Sequence, residues 1–121
     1  MGDKERQELR TRTKSFALRI IRLYVSLPKT TQAQILGKQV LRSGTSVGAH
    51  YREACRAKSD ADFINKMEGG LQELDETAYW LELLVESKIV REEKLAPLMK
   101  ETDELIAIFV TIVTNLKRKA L

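Results

Sequence analysis

Residues 39–80, QVLRSGTSVGAHYREACRAKSDADFINKMEGGLQELDETAYW, read as the end of one helix, a tight connection at Lys58-Ser59 and most of a second helix. The first half is crowded with small residues: Ser43, Gly44, Thr45, Ser46, Gly48 and Ala49. A mid-helix glycine costs about 1 kcal/mol against alanine, so a helix that keeps Gly44 and Gly48 four apart is expected to have another backbone close by. The second half supplies a partner surface. Phe63, Met67, Leu71, Leu74, Ala78, Leu81 and Val85 step by four and three residues, which lays an apolar stripe along one helical face.

Outward from this pair, the rest of the chain is also helical in pattern. Phe16, Ile20, Leu23, Tyr24 and Leu27 share a face of a first helix that starts at Ser15 and is stopped by Pro28. Residues 1–14, polar and rich in alternating charge, are expected to form a basic N-terminal arm or a frayed helix start. Thr30 or Thr31 suits the N-cap of the second helix, whose inner face carries Leu36, Val40, Gly44, Val47, Tyr51 and Ala54, and which should reach about Ala57. Ser59 followed by Asp60 and Asp62 reads as the cap and acidic first turn of the third, expected to last to about Ser87 across a weak point at Gly69-Gly70. In the fourth, Leu95, Leu98, Thr102, Leu105, Ile106, Phe109, Ile112, Val113 and Leu116 are in phase; Pro97 requires a start near Ala96 or a kink after a shorter lead-in. The sequence thus predicts an all-α domain over residues 15–121, an antiparallel up-down-up-down four-helix bundle.

Composition narrows the class further. With 121 residues, two prolines and 43% hydrophobic residues, the chain can bury a core of its own. One cysteine, Cys55, cannot form an internal disulfide, and no apolar run approaches a membrane span, so a reducing cytoplasm and no membrane association are expected. The ferritin-like di-metal pattern fails, because the single histidine, His50, has Val47 three residues before it. No metal and no cofactor are implied. Gly44-Thr-Ser-Val-Gly48 lacks the preceding strand and the Gly-Lys-Ser/Thr of a phosphate loop. His50 and Glu53, one turn apart, would act as an acid–base pair only if a cleft surrounded them; otherwise they are a polar pair at a helix seam.

The net charge of +4 permits an acidic partner without requiring one. Lys38, Arg42, Arg52 and Arg56 lie on a basic stripe of the second helix, and Glu68, Asp75, Glu82 and Glu86 on an acidic stripe of the third; the two would neutralise each other within a chain or between subunits. What would remain for a polyanion is the Arg12, Arg19 and Arg22 face and the Lys117-Arg118-Lys119 tail, read otherwise as ordinary solvated charge. Ile21, Val25, Ile35, Leu41, Ile108 and Val110 lie outside the primary apolar faces, so self-association is expected, with a wide core-facing stripe as the alternative.

Arg42-Ser-Gly-Thr-Ser-Val-Gly-Ala-His-Tyr-Arg-Glu-Ala54, with Asp62-Phe63-Ile64, Glu73, Glu76-Thr77 and Tyr79-Trp80-Leu81, resembles the bacterial four-helix-bundle family first noticed in intervening sequences of large-subunit ribosomal RNA genes. The likeness spans roughly Phe16 to Leu116. It implies a homopentamer without enzymatic activity, similar to the accessory protein of diversity-generating retroelements, which binds nucleic acid and a reverse transcriptase. Ser43, Ser46, Glu53, Glu73 and Glu76 match the motif and read as a polar network between helices two and three, with Arg42 as its cation. Trp80 fits as a packing anchor. His50-Tyr51 and Gly69-Gly70 depart from the pattern, which has asparagine and an aliphatic residue at the first pair and alanine-like residues at the second. The resulting expectation is a homo-oligomeric bundle whose basic surface binds RNA or a ribonucleoprotein partner such as a reverse transcriptase. The alternative is a protein-interaction scaffold without nucleic-acid affinity.

Overall fold

The structure, a computed structural model, describes residues 1–119; the last two positions of the domain expected over 15–121 lie outside the described residues. Those described form four helices and no strands: α1 (Asp3–Ser26), α2 (Thr31–Cys55), α3 (Asp60–Glu86) and α4 (Glu92–Lys119). The arrangement is consistent with a four-helix bundle. α2 packs on both α1 and α3, α4 packs on α3, and α1 meets α4 only thinly.

Local chemistry sets most of the boundaries. The Thr30 hydroxyl accepts from the Ala33 N–H and the Ser59 hydroxyl from the Asp62 N–H, each satisfying an orphan donor of a first turn. α1 ends at Ser26, just ahead of Leu27-Pro28. α3 closes with Lys88 in the left-handed region (φ 64°) and the Ile89 N–H bonded back to the Leu84 carbonyl, a Schellman-type stop made without glycine.

One boundary differs from expectation, and one resolves an alternative. Residues 3–14, read as an arm or a frayed start, are the first half of α1: Leu9 is buried and Thr13 is fully enclosed. The Thr13 hydroxyl returns its hydrogen bond to the Leu9 carbonyl (2.9 Å), so a polar residue can take a core position there at little cost. The fourth helix begins at Glu92, so Pro97 follows a short helical lead-in, the second of the two readings given for it. Its side chain is exposed and the missing N–H costs one hydrogen bond near the helix start.

The core runs along the facing sides of all four helices, with Phe16, Ile20, Val47, Tyr51, Met67, Leu74, Leu81, Leu105 and Phe109 fully enclosed. Glycines set the helix spacing. A Cβ at Gly44 would lie 2.7 Å from Ile20 Cγ1, and one at Gly37 would lie 2.6 Å from Leu27 Cδ1, so α1 side chains occupy the space that α2 leaves empty. At Gly48 a Cβ would meet Thr13 Oγ1 at 3.4 Å.

Gly69 and Gly70 are neighbours with opposite roles. A Cβ on Gly69 would approach His50 Nδ1 at 2.9 Å, and the His50 ring is partly exposed and can swing away. A Cβ on Gly70 would approach Phe109 Cε2 at 2.8 Å, and Phe109 is enclosed on all sides. Gly69→Ala should therefore be neutral or stabilising by up to about 1 kcal/mol from helix propensity. Gly70→Ala should destabilise, because overpacking costs typically about 1–3 kcal/mol. Urea denaturation of both variants checks this; equal midpoints would refute the distinction.

Candidate nucleic-acid interface

Arg12 leaves α1 and reaches α4, where Nε donates to Glu101 Oε2 at 2.8 Å and Nη2 to Glu101 Oε1 at 2.7 Å, with Glu104 Oε1 at 2.9 Å. The hydrogen bonds to Glu101 dominate in raising the guanidinium pKa above its ordinary value. This fork-to-carboxylate geometry is directional. Arg12, expected on a nucleic-acid face, is thus engaged as the tie between α1 and α4. Arg19, about two turns further along α1, is half-buried, and Arg22 is exposed. At the end of α4, Lys117 Nζ lies 3.5 Å from Glu68 Oε2 on α3, while Arg118 and Lys119 are exposed.

The α2–α3 seam holds a connected polar group. Arg42 Nη1 and Nη2 donate to the two oxygens of Glu73 at 3.0 and 3.1 Å, and Nη2 also donates to Glu76 at 2.7 Å. Bonding to Glu73 is the main cause of the raised Arg42 pKa. Ser43 and Thr77 hydroxyls lie 2.7 Å apart in the core; Thr77 donates to the Glu73 carbonyl, so Ser43 is the donor to Thr77. His50 Nε2 sits 3.8 Å from Glu73 Oε2. Of the residues read as one network, Arg42, Ser43, Glu73 and Glu76 converge here. Ser46 donates to its own helix, at the Arg42 carbonyl (2.6 Å), and Glu53 points away to Lys66 at 4.0 Å. Thr77 and His50, outside the residues expected in the network, also belong to the group. The motif Glu76-Thr77 carried the first, since a hydroxyl beside a carboxylate one turn from Glu73 shares its face.

Trp80 is half-buried, its ring tilted against Tyr79 with centroids 5.1 Å apart and its Nε1 enclosed without a hydrogen-bond partner. The largest enclosed rings are Tyr51, Phe16 and Phe109. His50 and Glu53 are not paired with each other: His50 faces Glu73, and Glu53 faces Lys66. Among the described residues no cluster of three or more His, Cys, Asp or Glu side chains is arranged to hold a metal, and no helix is long and apolar enough to cross a membrane.

Because α1 and α4 barely touch, a cleft of about 950 Å³ opens between their ends, walled by Leu9, Phe63, Ile108, Ile112 and Leu116 and reached by Cys55. The family of 23S rRNA-intervening sequence proteins matches residues 5–111, which takes in the two α1–α4 ties, the α2–α3 polar group and most of that cleft. The chain belongs to this family. A crystal structure of a protein of unknown function from the S23 ribosomal protein family, from Bacteroides thetaiotaomicron, is 39% identical, with a TM-score of 0.81 over 86% of this chain and 96% of that one. No curated protein matches.

For this intervening-sequence protein, the charge stripes read from α2 and α3 are not opposed within the chain. Among the described residues, Lys38, Arg52 and Arg56 are not ion-paired; Arg42 alone crosses to α3, and it meets Glu73 and Glu76 rather than the acidic stripe. Leu18, Ile21 and Val25 line the outer side of α1 with 45%, 41% and 70% of their surface exposed. The family match begins at residue 5, within the charged first turns of α1.

Proposed function

We propose that this chain is a non-enzymatic subunit of a homo-oligomeric bundle that binds RNA or a ribonucleoprotein partner through a basic surface. The observation that carries this reading is the uneven distribution of charge. Residues 1–59 hold 13 Lys and Arg against 4 Asp and Glu, whereas residues 60–121 hold 8 against 13. A basic layer of α1 and α2 therefore backs onto an acidic layer of α3 and α4, a polarity that attracts and orients a polyanion. Membership of a family named for an rRNA intervening sequence points to the same class of ligand.

The helices run antiparallel, up-down-up-down, in this reading. Contacts between neighbours support it: Thr13 lies by Gly48 and Tyr24 by Gly37, while His50 lies by Gly69 and Ser43 by Thr77. Self-association is supported by the row Leu18, Ile21 and Val25, an apolar step of three and four on the side of α1 away from its own core. A pentamer is the assembly that the family resemblance implies, and a nucleic-acid-processing protein such as a reverse transcriptase is the protein partner that it implies. Light scattering of the purified protein should return a mass five times the 13.8 kDa chain; the mass of one chain would end the oligomer reading.

Fluorescence anisotropy with a labelled RNA hairpin and a matched DNA duplex, at low and near-physiological salt, tests the ligand. Tight binding that falls steeply with salt is expected, because each phosphate neutralised releases condensed counterions. Absence of RNA binding at low salt would refute the function and leave a protein-interaction scaffold.

A further inference from the structure

The RNA reading leaves open which surface makes the contact, and the structure narrows it. From Leu9 to Arg52 the sequence contains no Asp or Glu and nine Lys or Arg. This span covers most of α1 and nearly all of α2, so the seam between them is flanked by basic side chains with no interleaved acids. Three of the nine are accounted for elsewhere or stand apart: Arg12 is held by α4, Arg42 by α3, and Lys29 sits in the connection.

Arg10 and Lys14 stand one turn apart on α1; Arg52 lies in the last turn of α2 and Arg56, four residues on, is its C-cap; all four are exposed. Steps of four residues space each pair by roughly 6 Å along the helix. The two pairs flank the same end of the seam, because Thr13 packs on Gly48 and the Tyr51 hydroxyl donates to the Arg6 carbonyl at 3.2 Å. Gly48 has no Cβ to hold the helices apart, so α1 and α2 approach closely at Thr13. Ala49, small and exposed, lies beside them on α2 and leaves a backbone room to approach. The nearest acids in sequence turn elsewhere: Glu5 and Glu8 line the α1–α4 cleft, and Glu53 faces Lys66. Among the described residues none of the four cations is ion-paired.

We propose that the α1–α2 seam, through Arg10, Lys14, Arg52 and Arg56, is the binding site for the phosphate backbone of RNA. The positive field there is also felt inside the protein. Burial and then Cys55 push the Tyr51 phenol pKa up, and Arg6 and Arg10 act in the opposite direction. Cations from two neighbouring helices, spaced along one seam, can follow the phosphates of one strand, with guanidinium groups giving paired hydrogen bonds to the oxygens. The contact is to backbone, so it is expected to be tolerant of base sequence.

The inference rests on the RNA-binding reading, and the experiment separates the two. The probe is a fluorescein-labelled RNA hairpin. The parent is compared with the variant Arg10→Gln/Lys14→Gln/Arg52→Gln/Arg56→Gln and with a control of equal charge loss on the other layer, Lys88→Gln/Arg91→Gln/Lys94→Gln/Lys100→Gln. The seam variant should bind roughly 30-fold or more weakly at 0.1 M salt, and its log–log salt slope should fall by about one for each cation removed. The control should stay within about threefold of the parent. If the parent binds and the seam variant binds equally well, the site is wrong and the RNA reading stands. If the parent fails to bind at low salt, both fall. A seam variant that keeps RNA affinity but changes the mass of the assembly would make the face a contact between copies, and would overturn the proposal. Circular dichroism melts verify folding; should the quadruple variant not fold, the pairs Arg10→Gln/Lys14→Gln and Arg52→Gln/Arg56→Gln, each expected to remove about half of the slope change, decide instead.

Discussion

Phe109→Ala is expected to destabilise the protein by about 3–5 kcal/mol, because it removes an enclosed ring from the place where α2, α3 and α4 meet. The ring is fully buried, lies 6.2 Å from the Tyr51 ring centroid, and presses on the backbone at Gly70. For a domain of this size the loss corresponds to a drop of roughly 10–20 °C in Tm. The neighbouring glycine supplies an internal control. In the parent, Gly70→Ala drives a methyl group against Phe109; in the Phe109→Ala background the same methyl enters the vacated space and brings about 1 kcal/mol of helix propensity. The sign of the Gly70 substitution should reverse between the two backgrounds, a coupling of about 1–3 kcal/mol in a double-mutant cycle. Identical effects in both backgrounds would show that Phe109 does not dictate the glycine.

Ile20→Ala should cost about 2–5 kcal/mol, since Ile20 is fully buried and fills the gap left by Gly44 across the α1–α2 seam. A Cβ at Gly44 would lie within 3.0 Å of three Ile20 side-chain carbons. Gly44→Ala alone is therefore destabilising, and combined with Ile20→Ala it should recover part of the loss by refilling the cavity from the other helix. Chemical denaturation of the two single variants and the double checks this. Additive losses would mean that the close approach read from the glycine spacing is not what holds α1 against α2.

The residues that announced the fold did so by local chemistry. Thr30, Ser59 and Pro28 mark boundaries because caps and stops are set by a hydroxyl or a ring within a few residues. Gly44 and Gly48 foretold a close neighbour because their cost in a helix needs compensation, and the neighbour is the Ile20 and Thr13 side of α1. The beginning of α1 was hidden because Leu9 and Thr13 are sparse markers in a charged stretch, and a buried threonine bonded to its own helix looks polar to any periodicity. Pro97 gave two readings, and nothing near it in sequence chose between them.

The candidate site was less legible because it depends on distant partners. Arg12 looks like a surface cation until Glu101 and Glu104, 89 and 92 residues away, are found beside it. Glu53 and Ser46 share a motif with Arg42, yet helix geometry turns Glu53 toward Lys66 and leaves Ser46 bonded to its own backbone. The acid-free span from Leu9 to Arg52 was present in the letters throughout. It becomes informative once α1 and α2 are seen side by side, since charge carries meaning on a surface and only weakly along a line.

The thin meeting of α1 with α4 shapes how the chain reaches its native state. Each extensive contact joins helices adjacent in sequence, so each is formed by closing only a short connection, and the entropy spent on closure is small. Such low contact order belongs to helical proteins that fold within microseconds to milliseconds. The α2–α3 pair, with the most extensive seam, is the natural nucleus. The α1–α4 edge, bridged by Arg12 rather than by packed apolar surface, closes last and parts first, and native-state amide exchange should see α1 and α4 released while α2 and α3 stay protected.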